Sequence, residues 1–178
     1  MSATAFIRIT RPHNAVVAGF TALIGYLVAT GTLTPPSLLL AVVVTLITAA
    51  GNVVNDVYDL EIDRINRPDR PLPAGLITLS GAKAYAAVLF IGGLAAAALT
   101  TTLCFAIALV NSIILVGYAV WLKRTPGIGN VAVAYLTASV FLFGGAFEGI
   151  EGLIQNLSLA TITFLATIAR EILKDAED

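Results

Sequence analysis

Residues 38–59, LLLAVVVTLITAAGNVVNDVYD, run from an unbroken apolar stretch straight into amide and acid side chains. A membrane-spanning helix needs roughly 20 mostly apolar residues, and this segment supplies them before its first acid, Asp56. Five further segments have the same character, at about 14–30, 82–100, 103–122, 130–147 and 153–173, with the present one counted as 37–57. The breaks between them are Thr34-Pro35-Pro36, the polar stretch from Glu61 to Ser80, Thr100-Thr101-Thr102, Thr125-Pro126-Gly127, and Glu148 to Gly152. Pro and Gly in such places punctuate helices. The expectation is a single all-α domain, a polytopic transmembrane bundle of about six spans. Gly92-Gly93 and Ala95 to Ala98 add small residues that let membrane helices approach closely.

Composition agrees with that class. Of 178 residues, 58% are hydrophobic and only 12% are charged, about half the charged share of an ordinary soluble domain. The mean hydropathy is +0.92. A net charge of -1 gives no electrostatic reason to expect nucleic acid as a partner. Cys104 is the chain's single cysteine, so no intramolecular disulfide is available. The first apolar run leads into more apolar runs and reads as a first span rather than a cleaved signal.

The basic residues give the orientation. With the six spans threaded alternately, Arg8, Arg11, Arg64, Arg67, Arg70, Lys83, Lys123, Arg124, Arg170 and Lys174 all fall on one side, and the opposite side receives Glu148 and Glu151. The positive-inside rule makes the basic side cytoplasmic.

The polar chemistry is gathered at the cytoplasmic end of the second span. Asn52, Asp56, Asp59 and Asp63 follow one another at i, i+4, i+7 and i+11, one stripe of a helix. Acids one turn apart repel, and partial desolvation adds to the penalty, so the stripe calls for a cation. Oxygen donors without His or Cys suit a hard ion such as Mg²⁺. The competing reading is a solvated helix end whose acids pair with nearby arginines. Asp56 and Asp59 still belong to the apolar run, where ionisable residues are usually functional, which favours the metal reading. Pro68, Pro71 and Pro73 end the helix and hold Arg67 and Arg70 on a stiffened loop, where planar guanidinium donors suit phosphate oxygens. Glu171, Asp175 and Asp178 repeat the i, i+4, i+7 spacing after the sixth span. Two facing acid clusters would hold two metal ions around a diphosphate, so both clusters are expected to border one cytoplasmic opening.

The run Asn55-Asp-x-x-Asp-x-x-x-Asp63, followed by Arg67-Pro-Asp-Arg70-Pro-Leu-Pro-Ala-Gly75, closely resembles the first aspartate motif of the UbiA-type prenyltransferase superfamily. The tail from Arg170 to Asp178 resembles the start of that superfamily's second aspartate motif. Leu122-Lys123-Arg124 and Gly129-Asn130 also look familial. The wording is closest to archaeal geranylgeranylglycerol-phosphate geranylgeranyltransferases. The resemblance implies transfer of an isoprenoid chain from its diphosphate to a lipid acceptor in archaeal ether-lipid synthesis, inside a multi-pass cell-membrane protein. It implies Mg²⁺ or Mn²⁺ held by Asn52, Asp56, Asp59, Asp175 and Asp178. Catalysis would fall to Asp56, Asp59, Asp63, Asp175, Arg67 and Arg70, and substrate binding to Asn52, Asn55, Arg67, Arg70, Lys123, Arg124, Arg11 and Asn14. His13 and Asn14 also suit a plain helix-start or interfacial role. Family members typically have nine spans, so a chain of about six looks incomplete at its C-terminus. The alternatives are a prenyltransferase of the same superfamily with an aromatic acceptor and, from a different class, a divalent-cation transporter or channel. A transporter should carry polar groups near mid-membrane, where only Asn111 and Ser112 qualify. An alcohol phosphotransferase of the CDP-alcohol type also carries membrane-edge aspartates, but no Asp-Gly followed by Ala-Arg at that family's spacing occurs here.

Overall fold

A computed structural model describes residues 3–125 and 127–177, and every regular element among them is helical. A short α1 (Ala3–Ile9) precedes α2 (Pro12–Thr30), which ends on Gly31 in the left-handed conformation at φ 74°. A 3₁₀ turn at Pro35–Ser37 starts the next helix, α3 (Leu38–Tyr58). The short α4 (Leu60–Asn66) and a proline-rich loop lead to α5 (Leu79–Ala98). The remaining helices are α6 (Thr102–Val120), α7 (Ile128–Gly145), α8 (Gly149–Gln155) and α9 (Leu157–Glu177). Two threonines placed in turns by the sequence cap the helices that follow them. The Thr78 hydroxyl accepts from the Gly81 amide at 3.1 Å, and the Thr101 hydroxyl from the Cys104 amide at 3.2 Å, a contribution of about 1 kcal/mol each.

Among the described residues, five segments are long and apolar enough to cross a membrane: Pro12–Thr30, Pro35–Tyr58, Leu79–Ala98, Thr102–Val120 and Ile128–Gln155. The expected sixth is present as a helix, α9, but falls short of the apolar criterion. Its start also moves from 153 to 157, because α8 occupies the stretch read as a break. The reason is local. Arg170, Glu171, Lys174 and Asp175 crowd the end of α9, leaving only its first three turns free of charge.

The centre of the bundle is α3, packed against α5, α2 and α6, while α7 packs against α9, α2 and α6. The apolar core runs through Ala22, Tyr26, Val43, Ile47, Ala108 and Phe143, all buried. Close approach of α2 and α7 depends on glycine at 144. A Cβ there would lie 2.1 Å from the carbonyl oxygen of Ala22, a backbone atom that cannot rotate aside. A second apolar cluster, including Ile9, Val53, Leu72 and Ile77, sits beneath the charged end of the bundle. It anchors α1 and the proline-rich loop against α3 and so fixes the loop's arginines over the helix end. The outward faces carry Phe20, Ile91, Ile113 and Ile162, each more than 60% exposed. Such a surface is an aggregation hazard in water and matches lipid in a bilayer.

Candidate active site

Asp56 lies on the last turn of α3 and is 3% exposed. A carboxylate this deep must be neutralised or hydrogen-bonded, and two guanidinium groups converge on its Oδ1. Arg11 Nη2 donates from the α1–α2 junction, and Arg70 Nη1 donates from the proline-rich loop at 3.2 Å. Arg70 Nη1 also donates to Asp63 Oδ2 at 2.5 Å, so one arginine bridges two acids seven residues apart. That bridge explains why Asp63, on α4, is 6% exposed although its neighbours Ile62 and Arg64 face outward.

Asp59 turns elsewhere. Lys123 Nζ, on the 3₁₀ turn Leu122–Arg124 after α6, donates to its Oδ1 at 2.6 Å. The Asn55 amide donates to Oδ2 at 3.0 Å, and Lys123 also reaches Asn55 Oδ1 at 3.4 Å. Asn52 donates its amide to the carbonyl of Thr10 at 2.8 Å, fixing the residue just before Arg11. Arg11 itself is the only non-glycine residue with positive φ among the described residues, at φ 50° and ψ 66°. Such backbone costs about 1–2 kcal/mol and persists where surrounding contacts over-determine it, often at ligand clamps.

The expected single stripe is therefore corrected in two respects. The helix is interrupted at Asp59, whose φ of -94° and ψ of 2° separate α3 from α4. The acids, moreover, carry basic partners. Asp56 and Asp63 share Arg70, Asp59 faces Lys123, and Asn52 faces the α1–α2 junction. The physical reason is burial: each carboxylate lies within reach of a cation that the chain itself brings from another element. Among the described residues, no three acidic, His or Cys side chains converge as a ready-made metal cage. The donor chemistry nevertheless fits Mg²⁺, which commonly binds through one or two carboxylates and completes its octahedron with water and phosphate oxygens.

The other expected residues divide. Arg67, at the end of α4, and Arg124 are exposed, and neither guanidinium is hydrogen-bonded among the described residues. Asn14, on the first turn of α2, lines a cavity of about 450 Å³ between α2, α3, α6, α7 and α9. The lining is mostly apolar, with Val43, Ile47, Leu115, Val140 and Phe141 on its walls. Asn111, one of the two mid-membrane polar residues, also lines it and donates to the Ser139 hydroxyl at 2.9 Å.

In the second cluster, Glu171 is 7% exposed and pairs with Arg170 at 2.6 Å and Lys174 at 3.6 Å. Asp175 is exposed and accepts from the Asn130 amide at 2.7 Å. Asp178 lies outside the described residues. Two residues without an assigned role join the clusters. Asn130 ties the start of α7 to α9, and the half-buried Tyr118 hydroxyl, near the end of α6, lies in the electrostatic field of Glu171, Asp59 and Asp175. Each of these acids lies 53 or more positions from Tyr118 in the sequence, so no local pattern signals that their fields meet there.

The UbiA prenyltransferase family model matches residues 18–178. The digeranylgeranylglyceryl phosphate synthase of Methanoculleus marisnigri is 80% identical over 178 residues, covering 100% of this chain and 64% of its own length. A solved structure concerning digeranylgeranylglyceryl phosphate synthase in membranes superposes with a TM-score of 0.90 at 38% identity, over 97% of this chain and 62% of the other. A UbiA homologue from Archaeoglobus fulgidus bound to GPP and Mg²⁺ gives a TM-score of 0.77 at 20% identity, over 94% of this chain and 61% of the other, a likeness of fold. The chain thus spans a little under two thirds of the length of these relatives.

Proposed function

This chain belongs to the UbiA prenyltransferase family, and we propose that it carries the diphosphate end of an intramembrane prenyltransferase acting in archaeal ether-lipid synthesis. The donor is geranylgeranyl diphosphate or a similar isoprenoid diphosphate, and the acceptor is geranylgeranylglyceryl phosphate. The observation that carries this reading is the placement of a cation-rich, acid-rich end beside an apolar cavity. Arg11, Arg70 and Lys123 meet Asp56, Asp59 and Asp63 there, and Asn14, three residues after Arg11, lines the cavity. An isoprenoid diphosphate has the same division, a polyanionic head on a long apolar tail.

In this reading Arg70, Lys123, Arg67 and Arg11 bind the diphosphate, with Asn52, Asn55 and Arg124 bordering it and Asn14 at the acceptor. Asp56, Asp59 and Asp175, with Asn52 and Asp178, hold divalent metal, and Mg²⁺ is the expected ion, as in the Archaeoglobus homologue. When bound, the metal neutralises the leaving diphosphate. Asp63 positions Arg70. The basic side chains stabilise the charge that gathers on the diphosphate as the allylic C–O bond breaks. The apolar cavity walls receive the chain and exclude water that would quench the allylic cation. The acceptor hydroxyl then bonds to the allylic carbon, forming the new ether, and its proton passes to the released diphosphate.

The test uses the intact protein in vesicles with Mg²⁺, labelled geranylgeranyl diphosphate and geranylgeranylglyceryl phosphate. A doubly prenylated glyceryl phosphate identified by mass is the expected product. Product from an aromatic acceptor alone would favour the other branch of the family, and metal flux without any prenylated product would favour a transporter. We place the active site on the cytoplasmic side because the basic residues thread there. Accordingly, an Asp69→Cys variant should react with an impermeant maleimide only from the cytoplasm, and a Glu148→Cys variant only from outside. Reversed labelling overturns this orientation.

A further inference from the structure

Both oxygen-rich and guanidinium-rich chemistry meet at one atom, Oδ1 of Asp56, and the two arginines that reach it are not equivalent. Arg70 has a side chain 17% exposed and is also bound to Asp63 at 2.5 Å. Arg11 has a side chain 37% exposed and, among the described residues, no acid partner other than Asp56. Asp56 itself retains only 4% side-chain exposure. Oδ1 carries two guanidinium donors, so a divalent cation seated on that oxygen must displace one of them. Arg70 stays anchored by Asp63 at 2.5 Å whether or not it keeps its 3.2 Å contact with Asp56, whereas Arg11 is held by Asp56 alone and has solvent to swing into.

Resting on the metal reading given above, we propose that Arg11 and a divalent cation compete for Asp56, and that Arg11 is the counter-ion this carboxylate exchanges when metal arrives. The backbone supports an exchangeable clasp. Asn52 holds the carbonyl of Thr10 at 2.8 Å, so the strained φ of Arg11 keeps its side chain over the α3 end in either state. Once released, the guanidinium remains beside the site and is free to meet an anion. Charge is then conserved locally: a cation enters onto the acid, and the freed arginine turns to the diphosphate. Metal and diphosphate therefore bind with positive coupling, because each relieves the ion pair that opposes the other.

The experiment measures Mn²⁺ binding to the purified full chain in detergent by the paramagnetic resonance of free Mn²⁺, with and without inorganic diphosphate. Without diphosphate, Arg11→Gln is expected to bind Mn²⁺ about tenfold more tightly than the wild type, within the usual range of coupling factors. Added diphosphate should improve Mn²⁺ affinity by a smaller factor in Arg11→Gln than in the wild type. Arg64→Gln, which removes an exposed pair with Glu61 outside the site, should leave both values unchanged. If Arg11→Gln does not fold, Arg11→Lys serves instead. It keeps the charge, lacks the planar fork, and should give a smaller rise of the same sign. Unchanged or weaker Mn²⁺ affinity in the folded variant, with Asp56→Asn still abolishing binding, overturns the competition and leaves the metal reading standing. Mn²⁺ binding that is indifferent to Asp56→Asn overturns both.

Discussion

Around the α3–α4 junction, Asp56, Asp59 and Asp63 take their counter-ions from the α1–α2 junction, the proline-rich loop and the turn after α6. The partners of Asp56 and Asp59 lie 14, 45 and 64 positions away. At the end of α9, Glu171 takes its cations from the same helix, one and three residues away, and the exposed Asp175 takes an amide from Asn130. In sequence the two clusters share the spacing i, i+4, i+7. The structure makes the first a tertiary construction that requires the fold, and the second a helix end that largely neutralises itself. Spacing specifies which acids share a face; burial and the surrounding elements decide what that face holds.

The largest effect is expected from the buried member. Asp56→Asn removes the charge on which Arg11 and Arg70 converge, so it should reduce prenyl transfer on the order of 10²–10³-fold, the range seen when one electrostatic partner of a reacting charge is lost. It should also lower stability by about 1–3 kcal/mol, because charged donors in a part-buried site lose their acceptor. Transfer rates and detergent melting curves check both. A variant with near-normal turnover would remove Asp56 from the site.

The long helices were readable because apolar runs of about 20 residues have few alternatives, and the threonine and proline punctuation placed most of their ends. The seven-residue helices α1, α4 and α8 were not. Helices this short are marginal on their own and form where tertiary contacts hold them, as Ile9 and Asp63 illustrate by their burial. The acid motif was legible as a chemistry, and pairing with nearby arginines, as Arg70 shows, was legible as the competing reading, but the distant partners were not. Nothing in the local pattern around Asp59 points to Lys123, and nothing around Asp175 points to Asn130. The break at Asp59 was hidden for the same reason, since the i, i+4 spacing continues through it while the backbone does not. The sixth segment is a helix, as read, but its bounds were less legible, because α8 takes up its first residues and charges crowd its end.

The smallest effect, and the sharpest separation of the two clusters, is expected at Asp175. Its side chain is exposed and its one described partner is a neutral amide, 2.7 Å away. Asp175→Asn keeps the size of the side chain and leaves no charged group stranded in the interior, so stability should change by no more than about 0.5 kcal/mol, the usual range for surface substitutions. If the second cluster shares the diphosphate's metal with the first, transfer should still fall. About tenfold is reasonable for one ligand of a largely hydrated ion, whose lost bond is partly replaced by water. Asp56→Asn would then lose fold stability and turnover together, whereas Asp175→Asn would lose turnover alone. Parallel melting curves and transfer rates, taken across a Mg²⁺ titration, distinguish the two. A deficit in Asp175→Asn that shrinks as Mg²⁺ rises marks a metal ligand. Wild-type rates at every Mg²⁺ concentration would reduce the α9 cluster to a solvated helix end and leave a site built on α3 and α4 alone.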